Sequence, residues 1–296
     1  MNVLDRLGRP PVYATPPVIA RLQADLATRV IPMRGSFEVA GIAVQTGTAG
    51  HAPGGVWLRL SAGAGLLYMG DNCCESQLYR FDAPPPTATV IIDASYGVAD
   101  ETLAAQQAAL LRRLSSGPAL LPVPADGRGP EIACFLQAAG CDVAVDDAIR
   151  EVATLLTQGG RESVRSESVP ALQRLIGEAR VLDEHSPPRG VMLAHGPTGD
   201  VGVAGALLRR WQDAATPAIV LTGHAAPGSN ARRLLDSGRA SFQRWNVHPT
   251  FADNLALIAA VGARRIVPAF GEQNMLPRWR ERIAPRELVA TTPIAL

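Results

Sequence analysis

Histidine and aspartate side chains stand in turns that follow apolar, strand-like runs of the sequence. His51 lies in the turn 50–55, which reads Gly-His-Ala-Pro-Gly-Gly, and Asp71 follows the run 65–69. Imidazole nitrogen and carboxylate oxygen are both common ligands of zinc. The two residues are therefore candidate zinc ligands, although a turn histidine beside a turn aspartate is the simpler interpretation of this pair alone.

A second set of polar residues suits the binding of phosphate. Gly223 follows the apolar run 218–222, and Gly228 and Ser229 precede a short helix that contains Arg232. Free backbone N–H groups and a helix N-terminus both favour an anion. Ordinary turn chemistry, in which the glycines adopt positive φ angles, explains the same pattern. Both interpretations stay open on these residues.

The composition limits the kinds of chemistry and partner. A chain of 296 residues with 47% apolar content is long enough for one large or two ordinary domains with a full core. The net charge of +1 gives no overall basic field, so any polyanion site would be a local patch. All 28 basic residues are arginine, which excludes lysine Schiff-base chemistry.

Cysteine usage and hydropathy predict the compartment. The four cysteines have neither C-x-x-C spacing nor the density of a disulfide scaffold, which favours a reducing interior. Asp5, Arg6 and Arg9 lie within the first ten positions, where a signal peptide would need an apolar run, and no apolar run approaches the ~18 residues of a membrane span. We therefore expect a soluble, cytoplasmic protein.

The predicted elements change in character near residue 97. Strand-like runs at 37–44, 56–60, 65–69 and 89–92 are separated by Gly-rich or Pro-rich turns, which indicates β-structure. Helical and strand patterns then alternate from 101 to 157, which predicts an α/β region with a parallel sheet. After residue 243, His248 stands before a helical run at 252–261, and a strand is predicted at 265–270.

The order of these pieces resembles the β-CASP branch of the metallo-β-lactamase superfamily, which comprises nucleases of RNA and DNA. The turn around His51 is similar to the family's AGH-x-x-GS, Gly70-Asp71 to its TGD, and the stretch that contains Asp93 to its EST-Y-G. The resemblance implies a metallo-β-lactamase-like αββα sandwich, N-terminally incomplete, at residues 1–97 and 244–296. Residues 98–243 would form an inserted α/β domain of the β-CASP type.

The resemblance also implies roles for individual residues. His51 and Asp71 would bind zinc, and Asp93 and Glu131 would support the ligands from behind. Asp93 stands in place of a glutamate, and its shorter side chain would reach less far to orient a ligand. His248 would contact the phosphate or protonate the leaving oxygen. A stretch of the insert similar to the family's PAFAVGRAQE contains Arg128 and Glu131, for which a surface salt bridge is the alternative. The residues expected to hold backbone phosphates are Arg128, Gly228, Ser229 and Arg232.

Two departures from the family pattern concern the metal ligands. The H-x-H-x-D-H signature is absent from this sequence, whose histidines number five, and Phe270 stands at the position of the last ligand histidine. Two of seven ligand positions remain, His51 and Asp71. Because catalytic zinc takes three protein ligands and a water, we do not expect a catalytic metal centre from this chain alone. The signature would precede the given sequence, belong to another polypeptide, or have been lost.

Two functions follow from these observations. The first is hydrolysis of nucleic-acid phosphodiesters, in single-stranded RNA or DNA, with an incomplete zinc centre. The second is a catalytically inactive nucleic-acid-binding or scaffold subunit that forms a homodimer or pairs with an active relative. The second predicts an exposed apolar face on the sheet. A small-ester hydrolase on the same fold is less consistent with the inserted domain.

Overall fold

The computed structural model describes residues 10–22 and 26–289. Its contacts divide the chain into two compact units, each of which contains helices and a sheet. The predicted mixed α/β class is therefore confirmed. Unit 1 comprises Met1–Asp100, Glu162–Val164 and His248–Leu296, and unit 2 comprises Glu101–Arg161 and Arg165–Val247.

The assignment of the two units to a metallo-β-lactamase-like domain and a β-CASP-like insert stays a prediction. One part of the boundary between the units differs from the predicted one. Glu162–Val164 belongs to unit 1, although the resemblance placed all of residues 98–243 in the inserted domain. Val164 forms a β-bridge with Tyr79, and the Ser163 hydroxyl accepts a hydrogen bond from the Gly54 N–H at 3.0 Å. A three-residue segment from the middle of the chain is thereby attached to the turn that contains His51.

Unit 1 is built around a seven-stranded mixed sheet with the strand order β15-β14-β7-β6-β5-β4-β3. Strands β3 to β6 are antiparallel, whereas β6, β7, β14 and β15 are parallel. The strands are β3 (Gly35–Val39), β4 (Ile42–Thr48), β5 (Val56–Leu60), β6 (Leu66–Tyr68), β7 (Thr89–Asp93), β14 (Arg265–Ala269) and β15 (Glu287–Leu288). A separate parallel pair is formed by β1 (Val12–Ala14) and β2 (Thr28–Val30).

Helices cover one face of this sheet. The unit-1 helices are α1 (Pro16–Ile19), α8 (Phe251–Val261) and α9 (Leu276–Ile283). Alternate strand residues such as Trp57, Leu67 and Ile92 are buried in one core with Phe251 of α8 and Trp279 of α9. The period of two in the strands and the apolar side of each helix produce this packing.

The opposite face of the sheet carries an apolar row. Leu58 pairs in register with Tyr68, Tyr68 with Ile91, and Ile91 with Val267, so the four side chains lie on the same face. Tyr68 is 36% exposed and the other three are half-buried. This row is less completely buried than the core on the helical side.

One predicted strand proves to be two. The run 37–44 was expected to be a single strand, but Ala40 and Gly41 form a two-residue hairpin turn between β3 and β4. Both have positive φ, 50° and 76°, as a type I′ turn requires. Alanine is uncommon in this conformation, which is why the sequence carried no clear turn signal.

Unit 2 contains a six-stranded, wholly parallel sheet with the order β10-β9-β11-β8-β12-β13. Its strands are β8 (Ala119–Val123), β9 (Val143–Val145), β10 (Arg180–Val181), β11 (Val191–His195), β12 (Ala218–Leu221) and β13 (Ala240–Phe242). Its helices are α2 (Leu103–Leu114), α3 (Arg128–Ala138), α4 (Asp147–Thr157), α5 (Val169–Glu178), α6 (Gly202–Trp211) and α7 (Asn230–Asp236). No helix of the described residues is long and apolar enough to cross a lipid bilayer.

Candidate metal centre

The ends of several unit-1 strands meet at one edge of the sheet. Parallel strands β6, β7 and β14 all end there, and the turn between antiparallel β4 and β5 lies at the same edge. This arrangement brings the turn residue His51 close to Asp71, which follows β6, and both close to His248, which precedes α8.

Two imidazoles and one carboxylate converge at this edge. One ligand atom from each of His51, Asp71 and His248 lies within 4.8 Å of the other two. His51 Nε2 is 3.8 Å from Asp71 Oδ2, and the rings of His51 and His248 are 5.0 Å apart between centroids. The side chains are 24%, 50% and 20% exposed, respectively, so solvent and a ligand can reach them. Two histidines and a carboxylate are a common three-residue set for catalytic zinc.

Asp93 holds His248 from the side away from the solvent. It ends β7, is fully buried, and its Oδ2 is 2.8 Å from His248 Nδ1. Oδ1 accepts hydrogen bonds from the N–H and hydroxyl of Ser95, and Oδ2 accepts one from the Asn72 N–H. A carboxylate on the inner nitrogen of a histidine fixes the ring and leaves its Nε2 for a ligand.

The surroundings of Asp93 favour its ionised form. Burial acts to raise its pKa, but hydrogen bonding to His248, the charge of that imidazole and the hydrogen bonds from Ser95 together bring the pKa below its ordinary value. A buried carboxylate is therefore charged beside the imidazole. Asn254 adds a hydrogen bond from its side chain to the Asp93 carbonyl at 2.8 Å.

Helix capping positions His248. Thr250 and Asp253 form a reciprocal capping box at the start of α8, two residues after His248. The N–H of Phe251 also donates to the Ala99 carbonyl at 3.0 Å. The ring of Tyr96 meets the imidazole of His248 edge-on, with 5.2 Å between centroids. The approach of the chain to the helix is thus fixed by both backbone and side-chain contacts.

Tyr68 is a neighbour of the site that the sequence did not single out. Partial burial raises the pKa of its phenol, and the charges of Asp71 and Asp93 raise it further. The hydroxyl therefore stays protonated at neutral pH and lies close enough to both carboxylates to feel their charge. Its position three residues before Asp71 was visible, but the orientation of the side chain required the structure.

The predicted phosphate-binding residues lie in unit 2 and have internal partners. Ser229 caps α7 by accepting from the Arg232 N–H and donates to the Ala226 carbonyl. Arg232 forms an ion pair with Asp236 at 2.9 Å. Gly228 has a φ of 80°, which agrees with the turn interpretation of that residue. Their role toward phosphate stays a prediction.

Arg128 and Glu131 begin α3 in the same unit. The guanidinium of Arg128 lies against Gly223, where a Cβ atom would overlap it. Glu131 is buried, and its carboxylate accepts a hydrogen bond from the Trp245 indole at 3.3 Å. A buried acceptor for an indole N–H differs from the surface salt bridge that was the alternative for Glu131.

Unit 2 contains a second aspartate beside a histidine. Asp146 accepts a hydrogen bond from the backbone N–H of His195 and caps α4 through the Ile149 N–H. The His195 Nδ1 accepts from the Ala125 N–H at 3.1 Å. Burial raises the pKa of Asp146, although the two backbone hydrogen bonds act to lower it. Here the aspartate contacts the histidine backbone, and the imidazole has a different partner.

Comparison with curated proteins identifies related endoribonucleases. Over 294 residues the chain is 24% identical to the endoribonuclease ysh1 of Schizosaccharomyces pombe. This alignment covers 85% of the chain and 39% of the length of ysh1. The endoribonuclease YSH1 of Kluyveromyces lactis is also 24% identical, and that of Eremothecium gossypii is 23% identical. The chain is a distant relative of these enzymes. Its predicted resemblance to the β-CASP branch of the metallo-β-lactamase superfamily is thereby confirmed.

The extent of the similarity is limited. The chain spans about two fifths of the length of these relatives. No family model matches it. The relationship supports a link to nucleic-acid hydrolases, while the reaction, substrate and partners of this chain are matters for proposal.

Proposed function

We propose that this protein is a metal-dependent hydrolase of nucleic-acid phosphodiesters, with one divalent ion, zinc by preference, held by His51, Asp71 and His248. The convergence of these three side chains at one sheet edge is the observation that supports it. The donor set fits the ion, because two imidazoles and a carboxylate meet the three-ligand requirement of catalytic zinc. A bound zinc ion would supply Lewis-acid polarisation of a phosphoryl oxygen and lower the pKa of a bound water.

The residues around the ligands have defined tasks in this proposal. Asp93 orients His248 through Nδ1 and keeps the imidazole aimed at the site. His248 thus acts as a ligand instead of protonating the leaving oxygen. The Tyr68 phenol, held in its protonated form beside Asp71 and Asp93, can donate a hydrogen bond to a substrate oxygen.

The relationship to the endoribonucleases supports the substrate class. We propose single-stranded RNA or DNA as the substrate and a metallo-β-lactamase-like sheet, with an inserted β-CASP-like domain, as the fold. The placement of the site at the carboxyl ends of parallel strands accords with ligand binding in α/β sheets generally. The single-ion centre differs from the two-ion centre that the resemblance implies.

The test combines metal content with cleavage. The purified chain is loaded with zinc, freed of excess ion, and assayed by elemental analysis and with end-labelled single-stranded RNA and DNA. We expect about one zinc per chain and cleavage that is lost in His51→Ala. His185→Ala is the matched control, because that histidine is 86% exposed and lies in unit 2. Zinc binding and cleavage that survive in His51→Ala would contradict the proposal.

A second candidate function is a non-catalytic subunit that pairs with another chain. The partly exposed row of Leu58, Tyr68, Ile91 and Val267 on the second face of the sheet favours it, because such a face is suited to packing against another layer. Size-exclusion chromatography with light scattering tests self-association, and Ile91→Glu would dissociate a dimer formed through this row. Nucleic-acid binding without any zinc-dependent cleavage would favour this function over the first.

A further inference from the structure

Phe270 combines an unusual backbone conformation with an exposed ring. It directly follows β14, its side chain is large and apolar, and the residue is 57% exposed. Its φ angle of 66° lies in the left-handed region, where non-glycine residues are uncommon and bulky ones are disfavoured. Strained positions of this kind persist where the surrounding structure imposes them, and they cluster at functional sites.

Packing on both sides of Phe270 imposes this conformation. Before it, the Ala269 carbonyl accepts a hydrogen bond from the Ala94 N–H at 2.9 Å. After it, Gly271 packs so closely that a Cβ atom would lie 2.5 Å from the Ala94 carbonyl oxygen and overlap the Met275 side chain. The backbone is therefore fixed at Ala269 and at Gly271, and the phenyl ring of Phe270 between them is exposed at the surface.

The position of Phe270 connects it with the metal centre. Ala269 pairs with Asp93 in the parallel register of β14 and β7, so Phe270 leaves the sheet on the strand next to Asp93. Neighbouring strands are about 4.8 Å apart. Asp93 in turn holds His248. Within residues 10–22 and 26–289, no aromatic ring stacks on Phe270.

Exposure alone would not distinguish Phe270. Val181 and Val201 are more exposed, at 63% and 64%, and single apolar residues on a protein surface are normal. Phe270 differs because it is aromatic, has a left-handed backbone, and lies at the edge where the ligand side chains converge. An exposed ring beside a phosphate-handling site suits a nucleobase, since every base has a π-face that stacks on an aromatic side chain.

We propose that Phe270 is a stacking platform for a base of a single-stranded nucleic acid whose neighbouring phosphate binds at His51, Asp71 and His248. The inference rests on the proposed function and deepens it by assigning a base-binding position. Because stacking tolerates any base, Phe270 confers affinity for single strands without a strong sequence preference. Base-paired strands, whose bases already stack on one another, bind this position less well.

The test measures binding of labelled oligonucleotides to Phe270→Ala and Phe270→Trp by fluorescence anisotropy. Zinc-loaded protein is titrated at 4 °C into a single-stranded 12-mer and into a 12-mer of abasic sites, and gels confirm that the strands stay intact. We expect Phe270→Ala to weaken binding of the base-containing strand about ten- to hundredfold, and Phe270→Trp to retain it. Both variants should bind the abasic strand as the unaltered chain does.

Phe270→Gly separates stacking from stability. Glycine accepts the left-handed conformation without strain, so its unfolding midpoint should equal or exceed that of the unaltered protein while base-dependent binding is lost. Unchanged affinity in Phe270→Ala, or an equal loss on the abasic strand, would overturn the stacking role and leave the proposed function intact. Failure of the unaltered chain to bind any single strand would overturn both.

Discussion

Each unit has a buried aspartate beside a histidine, and the two pairs behave in opposite ways. In unit 1, Asp93 contacts the imidazole of His248, and its pKa is held below the ordinary value despite burial. In unit 2, Asp146 accepts hydrogen bonds from the backbone N–H groups of His195 and Ile149, and burial raises its pKa. The same two residue types thus form a side-chain hydrogen bond to an imidazole in one sheet and a helix cap in the other.

The difference shows which contact matters for function. A carboxylate on a histidine ring nitrogen orients that ring and raises its basicity toward a ligand. A carboxylate on a backbone N–H satisfies the end of a strand or helix and does not orient the ring. Proximity of an aspartate and a histidine is therefore weak evidence for a site unless the partner atom is known.

The largest difference in zinc affinity is expected between variants that lack one or the other of the two histidines. His248→Ala should weaken zinc binding by more than about a hundredfold, because it deletes a ligand, which costs more than the 10- to 100-fold loss typical of a supporting residue. His195→Ala should leave zinc affinity unchanged. Competition with a chromophoric chelator measures both. Equal losses in the two variants would remove the distinction between the pairs.

Replacing the aspartates should give the next largest contrast. Asp93→Asn should weaken zinc binding about 10- to 100-fold, because a neutral amide replaces the charged carboxylate that accepts the hydrogen bond from His248. Asp146→Asn should keep the zinc affinity of the unaltered chain and lose some helix stability only. The same chelator assay, with circular dichroism to verify folding, makes the comparison. A zinc affinity untouched by Asp93→Asn would show that the orientation of His248 is set elsewhere.

The two aspartates should also give pH dependences of opposite sign. Asp93 has a folded-state pKa below the unfolded value, so its contribution to stability is present above about pH 4 and is lost as pH falls through the folded pKa. Asp146 has a raised pKa, so its contribution is full below about pH 4 and is lost as pH rises through the folded pKa.

Urea unfolding between pH 2.5 and pH 7 tests these signs. Relative to the unaltered protein, Asp93→Asn should lose less stability on the acid side, and Asp146→Asn should lose less as pH rises above about 4. Parallel curves for all three proteins would contradict both assignments.

The smallest effects concern two helix caps. Thr250→Ala at α8 and Ser229→Ala at α7 should each lower the free energy of unfolding by about 1 kcal/mol, the usual cost of a lost N-cap. Only Thr250→Ala should also weaken zinc binding, by a few-fold, because α8 follows His248. Loss of oligonucleotide affinity in Ser229→Ala at intact zinc affinity would support the predicted phosphate contact of that residue.

Local motifs singled out individual candidate residues, whose roles stay predictions. His51, Asp71 and His248 each stand in a short pattern that can be read from the chain, and the strand-like runs at 56–60 and 89–92 coincide with β5 and β7. The convergence of His248 with the other two could not be predicted as a ligand set, because most of the chain separates it from Asp71. Only the pairing of distant strands makes them neighbours.

The features missed by the sequence depend on side-chain direction and long-range contact. The effect of the Asp71 and Asp93 charges on the pKa of Tyr68 and the burial of Glu131 against Trp245 leave no mark in local periodicity. The left-handed backbone of Phe270 likewise arises from the packing of Gly271 against Ala94 and Met275. Ala94 is distant in the sequence and Met275 is apolar, so neither gives a turn signal.

The attachment of Ser163 to Gly54 has a consequence for engineering this protein. A graft that joined residue 100 directly to residue 248 would delete Ser163 and leave the Gly54 N–H, in the turn that contains His51, without its acceptor. The middle of the chain is thus not an exchangeable cassette. A shortened protein would need another hydrogen-bond acceptor for the Gly54 N–H, or the position of His51 would change.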